Sequence, residues 1–410
     1  MEREYVHRSN SSVPNRRRTT PSGGYNRRRK SGPPPFLFLA LGLIVVIVLA
    51  VILWKFVFSS GEKDPAPASS APNSSAVSSP DLSSPSSAVA PTPTPVPTPP
   101  AEKIPSGSAE QLSTLLKIGD TGYEYYNFVE ERAKDYITTV CDAGTQLGSS
   151  ITLYNMIVPT SMDIMLPESY IQEKNINSSD QKKAIDTYLY PSINSINPSV
   201  KTVPIFDALK LHNNDYLYFR TDHHWTQLGA YYAYVEFCKA KGIAPNALED
   251  YEKSTYDGFL GSFYSSDPND DMLNHPDTVE VYRPKANATL SYTDSDGNVV
   301  EDWPIIQDGD TYDDEMKYLI FCAADQPYEE IVNKDLTDGS ACLVVKESFG
   351  NVFIPFLVDH YQTVYVVDYR YYNGDISDLA QEKGVSDVIL INNISMTRNE
   401  ELIDALGEKF

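Results

Sequence analysis

Cysteine and histidine are scarce in this chain, and neither is arranged for metal. The four cysteines in 410 residues, Cys141, Cys238, Cys322 and Cys342, show no C-x-x-C or related spacing, which removes cysteine-built zinc sites. An even count permits two disulfides in an oxidising compartment. Cys342 opens an apolar run and Cys238 lies on a helical pattern, which suits buried free thiols equally, so no pairing is assigned. Basic residues are scarce after position 35. The first 35 residues hold nine of the 33 Lys/Arg and two of the 56 Asp/Glu, leaving 24 basic and 54 acidic side chains for the remainder. A surface of that sign repels nucleic acid and anionic polymers, so nucleic acid is not an expected partner; solubility is its plainest use.

Long hydrophobic runs are equally rare, and the exception is informative. Phe36–Trp54 is continuously apolar for 19 residues. At about 1.5 Å per residue it reaches roughly 28 Å, enough to cross a bilayer core. A buried helix would be amphipathic, and a cleaved signal peptide would have a shorter apolar region. The expectation is an uncleaved single span over 36–58. The preceding tail, 1–35, carries Arg16, Arg17, Arg18, Arg27, Arg28, Arg29 and Lys30, which keeps it cytoplasmic and places the rest of the chain outside the cell membrane. Residues 59–108 are mostly Pro, Ser, Ala and Thr. They cannot build a core and are expected to form a disordered or polyproline-like linker, either a plain spacer or a tether into a thick wall.

The expected folded domain is 109–410, an α/β unit with a parallel sheet flanked by helices. Helices are expected over Tyr125–Cys141, Ser179–Tyr188 and, capped by Thr226, up to Lys239. Ile151–Pro159 reads as a strand, Val203–Leu209 and Tyr216–Phe219 as short extended pieces, and residues 255–315 as loops and hairpins with a turn at Asp296-Gly297. The clearest unit is a βαβ over the strand Ala341–Val345, a helix Val352–Tyr361 and the strand Thr363–Val367. A short helix around Leu379-Ala380 and the strand Val388–Ile391 follow.

Two segments carry chemistry. Ser348 follows a buried strand and precedes a helix, at the carboxyl edge of a sheet where ligands bind. Alone, such a serine is more often a helix cap. The segment Thr221-Asp222-His223-His224-Trp225 supplies what a nucleophilic serine needs, a base and a carboxylate to orient it. Asp222 and His224 can meet across one residue, His224 can accept the Ser348 proton, and Trp225 is expected to wall the site. His223 is the alternative base or a packing residue. The N–H groups of Phe349 and Gly350 and the Asn351 side chain are the candidate oxyanion donors. A metal site is the rival use of Asp-His-His; adjacent histidines rarely share one ion because their side chains diverge, so a third ligand such as His212, His275 or His360 is needed, and none has a recognisable spacing; a structural polar cluster is the other reading. Neither metal nor cofactor is expected.

At these residues the chain resembles a known family. YFRTDHHWTQLGAYYAY, with LEDYEKSTYDGFLGSFYSSD and KESFGNVFIPFL, is similar to the bacterial DHHW proteins, themselves similar to SGNH-hydrolase-like alginate O-acetyltransferases. The likeness covers roughly 115–410. By position, Asp222 and His224 match the acetyltransferase Asp and His, and Ser348 its Ser; Arg370 falls where a polar substrate-facing segment lies. A GDS-type block is missing, since Lys346 and Glu347 precede the serine. The resemblance implies an SGNH-like fold and O-acetylation of a cell-wall or extracellular polysaccharide, with a membrane-bound O-acyltransferase partner delivering the acyl group. An esterase with the same residues, and a non-catalytic carbohydrate-binding or scaffold protein, stay open beside it.

Overall fold

The computed structural model describes residues 103–112 and 115–410, which fall within one compact unit, Thr92–Phe410. The tail (1–35), the apolar span (36–58) and nearly all of the linker (59–108) lie outside the described residues. Among those described, no helix is long and apolar enough to cross a membrane.

A small antiparallel sheet comes first: β1 (Ala109–Gln111), β2 (Leu115–Ile118) and β3 (Thr121–Glu124). Helix α1 (Glu130–Leu147) then leads into β4 (Thr152–Val158) and β5 (Lys201–Thr202). Helix α2 (Gln227–Lys241) begins where the Thr226 hydroxyl accepts the Gly229 N–H. β6 (Glu252–Phe259) and β7 (Asp277–Arg283) pair only with each other. The chain closes with β8 (Ala288–Thr293), β9 (Val299–Trp303), β10 (Tyr328–Asn333), β11 (Ala341–Lys346), β12 (Thr363–Asp368), α3 (Ile376–Glu382), β13 (Asp387–Asn393) and α4 (Glu400–Gly407).

Eight strands form the main sheet in the order β5-β4-β13-β11-β12-β10-β8-β9. β5 through β12 are parallel, whereas β10, β8 and β9 are antiparallel. The expected wholly parallel sheet is therefore corrected to a mixed one. β11 and β13 are buried along their whole length, as parallel strands covered on both faces must be, while β10 alternates between half-buried and buried residues. β8 and β9 are joined by a short turn through Asp294 and Gly297, a connection available only to antiparallel neighbours. The two helical layers show at β4. Tyr154 packs edge-on against Phe237 of α2, and the next residue, Asn155, donates 2.7 Å to Tyr136 of α1 on the opposite face.

Three local expectations change. Helix α1 starts at Glu130 rather than Tyr125, and Phe206–Leu211 is a helix rather than an extended piece. The crossover from β11 to β12 is not an α-helix over Val352–Tyr361 but two short 3-10 turns, Ser348–Gly350 and Ile354–Leu357. Pro355 lacks an N–H, and the surrounding bonds run to the third residue back, Phe353 N to Gly350 O and Phe356 N to Phe353 O. All four cysteines are buried and free.

Candidate active site

The Arg220–Trp225 segment is irregular backbone held from outside. A fully buried carboxylate, Asp277 at the start of β7, accepts from the N–H groups of Arg220 and Thr221, from the Thr221 hydroxyl at 2.7 Å and from Arg220 Nε at 3.1 Å. Thr226 N donates to Leu217 O and Phe219 N to His224 O, closing the loop on itself. Trp225, fully buried, donates its indole N–H to Phe349 O at 2.8 Å. It braces the turn behind Ser348 and does not wall the site, which corrects the expectation for it. An indole is large enough to need burial and polar enough to need one acceptor there.

This bracing sets the distances. His224 Nδ1 lies 2.6 Å from Asp222 Oδ1, and His224 Nε2 lies 2.7 Å from Ser348 Oγ at the carboxyl end of β11. Asp222 Oδ1 also accepts the His224 N–H at 2.8 Å, and Oδ2 accepts the Ser262 N–H at 2.7 Å. Burial opposes the Asp222 charge. The two neighbouring histidines and these hydrogen bonds outweigh it and hold the carboxyl well below its ordinary range. An ionised Asp222 only accepts, so His224 Nδ1 carries the proton and Nε2 is free to accept one from Ser348. Tyr318 stacks on the His224 ring, centroids 3.8 Å apart and 11° from parallel, and donates to Ser348 O at 2.8 Å. One side chain thus positions both the imidazole and the serine backbone.

His223 points elsewhere. Its Nδ1 is 2.6 Å from Ser262 Oγ, its side chain is 34% exposed, and burial together with the neighbouring His224 lowers its pKa. Asp222, His223 and His224 offer ligand atoms within 4.8 Å of one another. His224, however, commits both ring nitrogens to Asp222 and Ser348, so an ion would have to break one of those bonds.

The proposed oxyanion donors are corrected one by one. The Phe349 N–H is taken by Glu347 Oε2 at 3.2 Å, the Gly350 N–H by Glu347 O, and Asn351 Nδ2 by Asp325 Oδ1 at 3.0 Å. Gly350 makes room for protein rather than substrate: a Cβ there would lie 2.5 Å from Lys346 Cβ. Arg370 is turned onto Asp368, through Nε at 2.8 Å and Nη2 at 2.6 Å, and onto Asp325 at 3.0 Å. Glu347, noticed in the sequence only as a departure from pattern, is the neighbour that matters. Its Oε1 accepts from Asn393 N at 2.9 Å and its Oε2 lies 3.3 Å from Ser348 Oγ. Burial pushes its pKa up. Of the side chains holding the site, Ser262 lies inside a segment marked by the family likeness. Tyr318, Asp277 and Asp325 carry no local signal, since only the fold brings them here.

Gly261 is required for space and not for backbone conformation. A Cβ at this position would lie 2.2 Å from Asp222 Cβ, in backbone that any residue can adopt. Gly261→Ala should therefore displace Asp222 and cost about 1–3 kcal/mol. Thermal unfolding reads the stability loss, and an ester-turnover assay reads the displacement.

The match to known proteins agrees with this architecture. The DHHW protein family matches residues 97–367. This chain belongs to the DHHW family. A DHHW family protein from Eubacterium siraeum DSM 15702 is similar at 27% identity, over 75% of this chain and 99% of that one, with a TM-score of 0.65. Bacillus cereus PatB1, solved with a sulfonyl adduct, is similar at 16% identity over 72% and 98% of the two chains, with a TM-score of 0.57. The O-acetyltransferase domain of Pseudomonas putida AlgJ matches at 12% identity over 72% and 97%, with a TM-score of 0.40. No curated protein matches this DHHW chain. The mixed sheet with helices on both faces is the α/β architecture it has in common with PatB1.

Proposed function

We propose that this DHHW protein is a membrane-anchored, extracytoplasmic O-acyltransferase that places an acetyl group on a cell-wall or extracellular polysaccharide. The observation that carries the reading is the unbroken chain of short contacts from Asp222 through His224 to Ser348. Ser348 Oγ attacks the acyl carbonyl of the donor while His224 Nε2 takes its proton. As the tetrahedral adduct collapses, the imidazolium gives that proton to the departing donor group. A sugar hydroxyl then attacks the acyl-serine, loses its proton to His224, and leaves as the ester when Ser348 recovers the proton. Asp222 holds the imidazole tautomer and offsets the imidazolium charge throughout. A membrane-bound O-acyltransferase delivering the acetyl group completes the proposal, as does the 36–58 anchor. That PatB1, of similar fold, has been solved with a sulfonyl adduct adds support, because sulfonyl reagents capture nucleophilic side chains.

The test is intact-mass spectrometry of the chain after incubation with an activated acetyl ester. An acetyl adduct mapping to Ser348, absent in Ser348→Ala and His224→Ala, is the expected result. Adding sugars then separates transfer from hydrolysis. Failure of any adduct to form, with no ester turnover, would move the reading to carbohydrate binding or scaffolding.

A further inference from the structure

A groove of about 720 Å³ lies at the same sheet edge as Ser348. Lys346, two residues before Ser348, pairs in register with Asp368, and Arg370 follows Asp368 by the same two residues, with Tyr371 and Tyr372 next. Tyr328 pairs with Val367 and with Thr293, so the start of β10 and the β8–β9 turn reach that edge too. At about 4.8 Å per strand, the groove wall extends from roughly 5 to 14 Å away from the Ser348 strand. Arg370, one wall of the groove, is tied through Asp325 to Asn351 in the turn that bears Ser348. The groove and the serine turn therefore share a scaffold.

The lining decides the class of occupant. Tyr371, 45% exposed, has Arg370 over one face of its ring at 5.2 Å and leaves the rest of the ring to the groove, with Tyr372 beside it; Tyr328 lies under Lys383 and donates its hydroxyl to Glu330 at 3.1 Å. Both cations of the groove are already engaged. Arg370 is held by Asp368 and Asp325, and Lys383 lies over the Tyr328 and Tyr365 rings at 5.9 and 5.3 Å. The lining also carries three carboxylates, Asp294, which accepts from Asn298 and the Asp296 N–H, Glu330, which accepts from Tyr328, and Glu382, 3.9 Å from Lys383, so negative groups outnumber positive ones there. An anionic polymer would meet this excess of carboxylates without a spare cation, whereas an uncharged sugar can stack on the exposed part of the Tyr371 ring beside polar groups of both signs. We infer that the groove between α3 and the β10–β8 strands is a subsite for an uncharged oligosaccharide, holding the acceptor polymer several units away from the hydroxyl presented to Ser348. The inference rests on the acyltransferase reading for its purpose, but not for its test.

The purified full-length chain is titrated by calorimetry with cello- and chito-oligosaccharides from two to six units, with polygalacturonate as the polyanion control. Affinity for at least one uncharged series should rise with length, and Ser348→Ala should retain it. Tyr371→Ala should weaken binding roughly fivefold, the loss of one aromatic contact. Ser295→Trp, on the exposed β8–β9 turn, should block the groove without touching the core. No binding of either series, binding indifferent to both variants, or preference for polygalacturonate would each overturn the subsite. Adduct formation on Ser348 is scored separately: an adduct without oligosaccharide binding sinks the groove alone, and binding without an adduct sinks the acyltransferase reading alone.

Discussion

Asp222→Asn is expected to lower acetyl-ester turnover by about 10⁴-fold while the chain stays folded. Asp222 Oδ1 faces two donors at once, His224 Nδ1–H and the His224 backbone N–H. An amide fills the same volume but must present either its oxygen or its NH₂ there. With the NH₂ facing Nδ1, the imidazole shifts its proton to Nε2 and can no longer accept from Ser348. With the oxygen facing Nδ1, the tautomer survives, but the amide nitrogen then confronts the Ser262 N–H and the imidazolium loses its counter-charge. Both outcomes remove the base without opening a cavity, so thermal unfolding should change far less than turnover. The pH profile adds a check. Because Asp222 is held below the ordinary carboxyl range, it stays ionised wherever a histidine titrates, and wild-type activity should show no separate loss from Asp222 protonation above about pH 4. A variant with near wild-type turnover would mean that His224 is oriented by something other than Asp222.

What the sequence made legible divides along local lines. The Ala341 and Val388 strands stand out because parallel strands buried on both faces read as near-continuous apolar runs, and the Thr363 strand, half-buried at Thr363 and Tyr365, is still rich in valine. Asp222, His224 and Ser348 are legible as a set because an Asp-x-His pair and a serine at a strand end are rare companions, and the structure places His224 2.6 Å from Asp222 on one ring nitrogen and 2.7 Å from Ser348 on the other. The β11–β12 crossover is not legible: Val352–Val358 is buried throughout, and a run apolar on every side has no period to read. β10 hides for the opposite reason. Its Glu329-Glu330 pair looks like solvated loop, yet Glu329 is fully buried. The oxyanion donors were misplaced because a long helix was expected after Ser348. A three-residue 3-10 turn whose first free N–H is capped by Glu347 has neither the length nor the open donors. Asp277 and Tyr318 act on the site from distant chain positions and leave no spacing to recognise.

The buried glutamate that sequence reading misses also sets the largest stability effect. Glu329→Gln should raise the melting temperature, and the gain should grow with pH. Behind Ser348, Lys346 Nζ contacts Asp325 at 3.2 Å and Asp368 at 3.4 Å, and Arg370 binds the same two carboxylates. Two cations and two anions thereby close on themselves. Glu329 is a fifth group, and neither of its carboxyl oxygens has a hydrogen-bond partner among the described residues. Burial, reinforced by Asp325 and Asp368 and only partly offset by Lys346, raises its pKa well above the ordinary value. The folded chain then retains a proton that the unfolded chain releases above its ordinary carboxyl pKa. Stability from this group is intact below that value and falls as pH rises toward the folded pKa, at about 1.4 kcal/mol per pH unit. Glutamine is neutral in both states and lacks the slope. The variant and the wild type should therefore melt together near pH 4.5 and separate by about 2 °C for each unit above it. A constant offset from pH 5 to pH 8 would show that Glu329 is ionised in the folded state. Lys346→Met gives the opposite sign: it leaves the buried Asp368 and the half-buried Asp325 sharing one guanidinium and should cost about 3–5 kcal/mol. Asn351 hangs from Asp325 in that cluster, so the same loss should loosen the turn that carries Ser348 and lower turnover at temperatures where the chain is still folded.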